Sequence, residues 1–292
     1  MMVAECINPS SSPSYVSYLW NMSNFTDIDD PFTLDRLRST LVRLEDTIIF
    51  ALIERAQFAL NKCIYNPGTL EFKGATGDKS FLEYFLWETE KVHARVRRYT
   101  SPDEYAFTSP LPEPILPPVK FKQFLADNDI NVNDKIMDIY VKSIVTGVCD
   151  DHDDNNYGSA ATKDIDCLQA LSRRIHYGKF IAESKFRDNP KEYRKLANNN
   201  DRDAIYELLT NRAVEKKLLE RLRRKALVYG QTLDQAQEGT SAHLRIPVQV
   251  VVELYERWVI PLTKEVEVDY LIERGQNATD DDITAIEQQR SS

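Results

Sequence analysis

The stretch SAATKDIDCLQALSRRIHYGKFIAESKF, residues 159–186, decides the fold. Ile165, Leu168, Leu171, Ile175 and Ala182 recur at helical spacing, so it reads as one long amphipathic helix. Ser159 or Thr162 is the expected acceptor for the free N–H groups at its start. Arg174 and Lys185 break the apolar pattern; they lie eleven residues apart, about three turns, and so share a face. Gly178 falls between them on that face and adds no side chain. Two readings are open. Both cations snorkel to water, or both reach over bare backbone toward a small anion.

The 292 residues carry a formal net charge of −9 and can bury a substantial core as one large domain or two small ones. No basic stripe interleaved with aromatics occurs, so no nucleic-acid partner is expected. Cys6, Cys63, Cys149 and Cys167 have no paired spacing and read as reduced thiols of a cytosolic protein. No apolar run approaches bilayer length, so no membrane partner is expected. Residues 1–30 contain no Lys or Arg, which argues against a targeting peptide and for a cytoplasmic location.

Outward from the central helix, residues 1–30 are rich in Ser, Asn, Asp and Pro and are expected to form a mobile leader. Asp30-Pro31 should open a helix whose stripe is Leu34, Leu37, Leu41, Leu44, Ile48 and Leu52, with Arg38 at its edge. Residues 66–79 read as a loop, 81–99 as a helix ending in Arg97-Arg98, 101–118 as a Pro-rich irregular segment, and 121–149 as a helix pair. The run DDHDDNN, residues 150–156, invites a calcium reading. It fails because the glycine comes too late and no Glu closes a twelve-residue loop, so it is expected to be a solvated loop without metal. A helix over 201–229 ends at Gly230 and carries Asn211 and Glu215 one turn apart on its stripe. After a polar connection over 233–243, Pro247 starts the last long helix, which Pro261 should kink and which presents Thr263 and Glu267. Residues 31–275 form the expected single helical domain, and 276–292 an expected disordered tail. The fold class is all-α.

Four helices thus carry polar groups on faces that should be buried: Arg38; Arg174 and Lys185; Asn211 and Glu215; Thr263 and Glu267. Facing helices of a bundle build ligand pockets in this way. No Cys, His or Ser–His arrangement lies among the seven, so covalent and metal chemistry have no agent and no cofactor is expected. Three cations, two carboxyls and two small polar groups suit a dianionic small molecule, acted on by positioning and electrostatics.

The segments LRSTLVRLEDTIIFALIERAQF, VRRYTSPDE, NNYGSAATKDIDCLQALSRRIHYGKFIAESKF, TNRAVEKKLLERL and IPLTKEVEVDYL resemble the all-helical chorismate mutases of fungi and plants, over roughly residues 32–274. The resemblance implies a helical homodimer that rearranges chorismate to prephenate on the branch toward phenylalanine and tyrosine. It assigns cations matching Arg38, Arg174 and Lys185 to the two substrate carboxylates and the breaking ether bond. Positions matching Asn211 and Glu215 meet the ring hydroxyl region, and Thr263 and Glu267 complete the pocket with Glu267 facing the ether oxygen. It also implies an effector site for tyrosine and tryptophan. There Arg97 and Arg98 of one subunit meet Asn155, Asn156, Gly158, Ser159 and Thr162 of the other. One departure stands out: regulated yeast-type members carry a switch threonine where this chain has Pro247, which supplies no hydroxyl.

Two rival readings are weighed. A helical regulatory or interaction protein could keep the fold without turnover, but the intact set of seven residues argues against it. A metalloprotein built on the DDHDD run is disfavoured by its spacing.

Overall fold

The computed structural model describes residues 32–70, 77–119, 123–230 and 246–291. The leader, the Asp30-Pro31 helix start and the 233–243 connection lie outside the described residues. Helix α1 (Leu34–Arg55) follows Thr33 and buries Leu37, Leu44, Ile48, Ile49, Leu52 and Ile53 as one stripe. Helix α2 (Phe81–Arg95) starts at a reciprocal cap in which the Ser80 hydroxyl accepts from the Glu83 N–H and the Glu83 carboxylate accepts from the Ser80 N–H. It ends sooner than the sequence suggests, because Arg97 takes a left-handed φ of 66° and a short 3-10 turn, Arg98–Thr100, follows.

The pair of helices expected over 121–149 is a single helical run. It passes from α3 (Asn133–Ile139) through a π turn (Tyr140–Ile144) to α4 (Val145–Val148). Residues 123–132 are irregular because Asn128 and Asn131 accept from the N–H groups of Ile130 and Asn133, an alternative that competes with a helix.

The deciding stretch is two helices rather than one: α5 (Tyr157–His176) and α6 (Gly178–Asp188), joined at Tyr177. Helix α5 begins after Asn156, so neither Ser159 nor Thr162 is its cap; the Thr162 hydroxyl instead donates back to the Gly158 carbonyl. A further helix, α7 (Pro190–Asn198), opens on its proline. The helix expected over 201–229 is also divided. Asp201 caps α8 (Arg202–Leu209), Thr210 is extended, and the Asn211 side chain accepts from Val214 N–H at the head of α9 (Arg212–Gly230). Helix α10 (Val248–Leu254) leads through a second π turn (Tyr255–Val259) into α11 (Ile260–Asn277). The interruption expected at Pro261 takes the form of that π turn, immediately ahead of the residue that lacks an N–H.

The tail, expected to be disordered, carries helix α12 (Asp280–Ser291). Thr279 and Asp282 exchange cap hydrogen bonds, and Ile283 is buried. Arg194 pairs with Asp280 and Lys191 with Glu287, so the helix is fastened to α7. Composition hid it: three aspartates read as solvated chain, yet they sit at the positive end of a helix, and Asp280 pairs with Arg194.

Helix α11 is the axis of the domain and packs against α5, α6, α7 and α8, while α1 lies along α5. A Cβ on Gly275 of α11 would collide with Ala197 of α7, which fixes how closely those two helices approach. Between α1 and α5, the fully buried Asp164 accepts from Arg55, Tyr65 and Tyr140, and Arg55 also donates to the carbonyls of Phe58, Ala59 and Leu60. No strand occurs among the described residues, and no described helix is long and apolar enough to cross a membrane.

The 150–156 loop is better ordered than its composition suggests. The Asp154 carboxylate accepts from Ala59 N–H, Asn61 and Asn156 N–H, which holds its pKa well below the usual carboxylate range. It staples this loop to residues 59–61 rather than standing in water. No group of acidic, His or Cys side chains among the described residues is arranged to hold a metal ion.

Candidate active site

The α5–α6 junction faces α11 at its barest point. A Cβ on Gly178 would stand 3.0 Å from both the Thr263 methyl and the Thr263 carbonyl oxygen, and 3.2 Å from Glu267 Cγ. That approach brings three buried groups together. Arg174, 4 % exposed at the end of α5, donates through Nη1 to the Thr263 hydroxyl at 3.3 Å. Its Nε is buried without a partner, and its guanidinium lies 6.0 Å from the Tyr255 ring centroid. A buried donor left open is costly unless something else accepts from it.

Glu267 is the hub. Burial pushes its pKa up to about 7, opposed by Lys185, Arg174 and Lys264 and reinforced by Glu215. Desolvation wins even among three cations, so the carboxyl holds or releases a proton near neutrality. Lys185, half-buried on α6, donates to the Leu209 carbonyl at 3.2 Å and so reaches the end of α8. Glu215, in the first turn of α9, is paired with Lys264 at 2.6 Å. Asn211 is exposed at the α8–α9 seam.

Six of the seven expected residues therefore belong to one region: Arg174, Lys185, Asn211, Glu215, Thr263 and Glu267. Arg38 is exposed near the start of α1 and is not buried with them. Sequence reasoning missed Lys264. It follows Thr263 directly, about 100° further round the helix, and so falls off the stripe that drew attention. Its long stem carries Nζ to Glu215, to the Thr210 hydroxyl at 2.9 Å and to 4.8 Å from the Tyr206 ring centroid. Sequence reasoning missed Tyr255 as well, which is fully buried beside Arg174 with an unpartnered hydroxyl.

The arrangement has no nucleophile poised beside a base. It offers a buried cation with an open donor, a second cation, and a carboxyl able to donate a hydrogen bond when protonated. Such a cage binds a compact anion and stabilises charge developing on an oxygen. A separate open cleft of about 430 Å³, lined by Lys191, Arg194, Lys195, Asn198, Asn199 and Ile283, lies between α7 and α12 and contains none of the expected residues.

The residues expected at an effector site fall into two groups. Arg97 donates to the Pro117 carbonyl. Arg98 donates to Glu104 at 3.1 Å and to Gln169, on the second half of α5, at 2.7 Å. Asn155, Asn156, Gly158, Ser159 and Thr162 are all exposed around the start of α5, where a Cβ on Gly158 would meet nothing within 4 Å. Gln169 is ten residues beyond Ser159, roughly 15 Å along the helix, so a single chain does not join the two groups.

An all-helical domain with a cation-lined cage around a buried carboxyl suits an enzyme that works by positioning. Residues 156–268 match the family model for type II chorismate mutase. Chorismate mutase of Schizosaccharomyces pombe is 47% identical over 251 residues, covering 85% of this chain and 98% of that protein. The crystal structure of Aro7p chorismate mutase from Candida albicans, in complex with L-Trp, superposes with a TM-score of 0.83 at 40% identity, over 89% of this chain and 98% of that one. AtCM1 with tyrosine bound in its allosteric site gives a TM-score of 0.75 at 41% identity, over 85% and 98%. This chain belongs to the chorismate mutase family.

Proposed function

We propose that the cage around Glu267 rearranges chorismate to prephenate. In this reaction one C–O ether bond breaks as one C–C bond forms, with no nucleophile, metal or net proton transfer. The site has to hold the folded reactant and stabilise negative charge on the ether oxygen. Arg174 and Lys185 take the substrate carboxylates, with Arg38 closing over them. Asn211 and Glu215 take the ring hydroxyl, and Thr263 orients Arg174. Protonated Glu267 donates to the ether oxygen. The observation that carries this reading is the buried Glu267 carboxyl, poised near neutrality beside an Arg174 whose Nε has no partner. Its test is the conversion of chorismate by the purified protein, followed as chorismate loss and prephenate formation. No conversion would leave the cage as a binding site only.

Regulation by tyrosine and tryptophan belongs to the same proposal. Support comes from the tryptophan and tyrosine complexes of the two solved relatives. In this chain Arg98 and the exposed start of α5 lie too far apart to close on one amino acid, so the site forms between two copies. Val92, Val96 and Ile115, all exposed beside Arg97, give such a dimer an apolar edge to bury. Pro247 stands at the start of α10 with φ −63° and ψ 128° and offers no hydroxyl, so any switch here works without that contact. A cytosolic location fits the free thiols Cys63, Cys149 and Cys167.

A further inference from the structure

The α5–α6 junction also holds two buried titratable groups that the rearrangement does not use. His176 and Lys179 are each 1 % exposed. His176 Nε2 accepts from Val132 N–H at 3.0 Å, while Nδ1 donates to the Ser172 carbonyl at 2.9 Å, so the ring is neutral in one tautomer. Burial lowers its pKa to about 4, which keeps it so. Lys179 donates to the Ile130 carbonyl at 2.6 Å and stands 4.3 Å from the Tyr105 ring centroid. That same ring stacks on His176 at 4.3 Å.

The pairing has a clear geometry. Residues 176 and 179 flank the junction at Tyr177, and both meet the Tyr105 ring. Ile130 C=O and Val132 N–H are two residues apart in an irregular segment, and both point at the junction. One side chain donates and the other accepts, so the segment is gripped at two points. Asn133 continues the seam: its Nδ2 donates to the carbonyls of Tyr105 and Ala106, and its Oδ1 accepts from Ser172.

Lys179 makes no ion pair among the described residues. Glu273 of α11 and Asp129 of the gripped segment are the nearest carboxylates acting on it, and burial outweighs them, lowering its pKa to about 8. A buried ammonium held by one carbonyl and an aromatic face is costly to retain. Plain packing would be served better by Met or Leu. Gly178, whose bare backbone touches Thr263 and Glu267, lies between these two anchors in the chain.

We propose that Lys179, together with His176, is a positioning residue for the rearrangement: the clamp on residues 130–132 holds Gly178 against Thr263 and Glu267. This rests on the reading of the cage as the chorismate site. The groups acting most strongly on Glu267 are Lys185, Arg174, Lys264 and Glu215. The influence proposed for Lys179 is through geometry, by the hold of its ammonium on the Ile130 carbonyl.

The test compares Lys179→Met, Lys179→Arg and the surface control Lys191→Met in the full chain. Lys179→Met, with wild-type helicity, is expected to lower kcat by about tenfold or more, as misplaced reacting groups do, with KM changed much less. It should also move the midpoint of the pH–rate profile, because Glu267 shifts relative to Arg174 and Lys185. Lys179→Arg, which still donates to the Ile130 carbonyl and lies on Tyr105, should recover most of kcat and the midpoint. A folded Met variant with unchanged kcat and midpoint, beside a wild type that converts chorismate, overturns the clamp alone. A wild type that converts nothing overturns the site reading and the clamp with it. If Lys179→Met does not fold, His176→Phe decides the matter, since it removes the acceptor of the Val132 N–H and keeps a ring against Tyr105. The clamp requires a lower kcat and a moved midpoint in that variant, and unchanged values overturn it.

Discussion

Gly178 meets Thr263 backbone to backbone, at a separation where even a methyl group would stand 3.0 Å from the Thr263 carbonyl oxygen. That contact sets the floor of the cage, because Thr263 holds Arg174 and Glu267 lies one turn further on.

Gly178→Ala follows from this. Alanine brings about 1 kcal/mol of helix propensity, set against an overpacking cost of about 1–3 kcal/mol. Stability should therefore fall by no more than about 2 kcal/mol, while the displacement falls on Thr263 and Glu267. A drop in kcat in a variant that still melts cooperatively, a few degrees lower at most, is expected. An alanine variant with full kcat would show that the close approach does not constrain the site.

Arg174→Ala removes the buried guanidinium whose open donor belongs to the cage. The expected loss in kcat/KM corresponds to about 2–5 kcal/mol, as for a charge-assisted contact to a carboxylate. Helicity should be retained, since no ion pair to Arg174 occurs among the described residues. Near-normal turnover would place the chemistry elsewhere.

Glu267 sets the pH dependence. A carboxylate only accepts hydrogen bonds, so the donor to the ether oxygen exists only while Glu267 is protonated. Its pKa is about 7 against an ordinary 4.5, so wild-type activity should fall as pH rises through neutrality. Glu267→Gln keeps a donor at every pH and should hold its activity to the alkaline side. Stability carries the same sign. The folded state binds this proton more tightly than the unfolded chain, so its contribution is complete below pH 4.5 and lost as pH rises through 7. Above that the cost is about 3 kcal/mol, which the glutamine escapes. Melting curves of the two proteins should thus diverge with pH in the variant's favour. A flat wild-type activity profile, or parallel melting curves, would contradict this.

Arg98→Ala tests the regulatory proposal. Arg98 is tied to Glu104 and Gln169 and not to the cage, so basal turnover should survive. The response to tyrosine and tryptophan should be blunted, with weaker binding by calorimetry. Wild-type rates indifferent to both amino acids would remove the effector site from the account.

Much of this was legible in the sequence because buried polar residues on apolar stripes are rare enough to stand out. Arg174, Thr263 and Glu267 were found in that way. The breaks were not legible. Tyr177 keeps right-handed helical angles, φ −61° and ψ −14°, so the apolar period runs straight through the α5–α6 junction. At Thr210–Asn211 the stripe likewise continues on both sides of an extended residue. Helix α12 was hidden for the opposite reason, since its polar composition outweighed a cap and a single buried isoleucine. Lys264 shows a third limit: a long side chain acts where its tip arrives, not where its Cα lies.

Asn211 adds a point about the chemistry of recognition. Its Oδ1 is already engaged by Val214 N–H, holding the first turn of α9 in place. The half of the amide left over is the NH2 group. Whatever enters at the α8–α9 seam therefore meets a donor there, a few residues from the carboxylate of Glu215, which only accepts. A hydroxyl, able to accept from one and donate to the other, meets both at once; an ether or a ketone accepts from the amide and adds nothing to the Lys264 partner that Glu215 already has. On the role proposed for Asn211 and Glu215, the seam favours a ligand that carries a hydroxyl there.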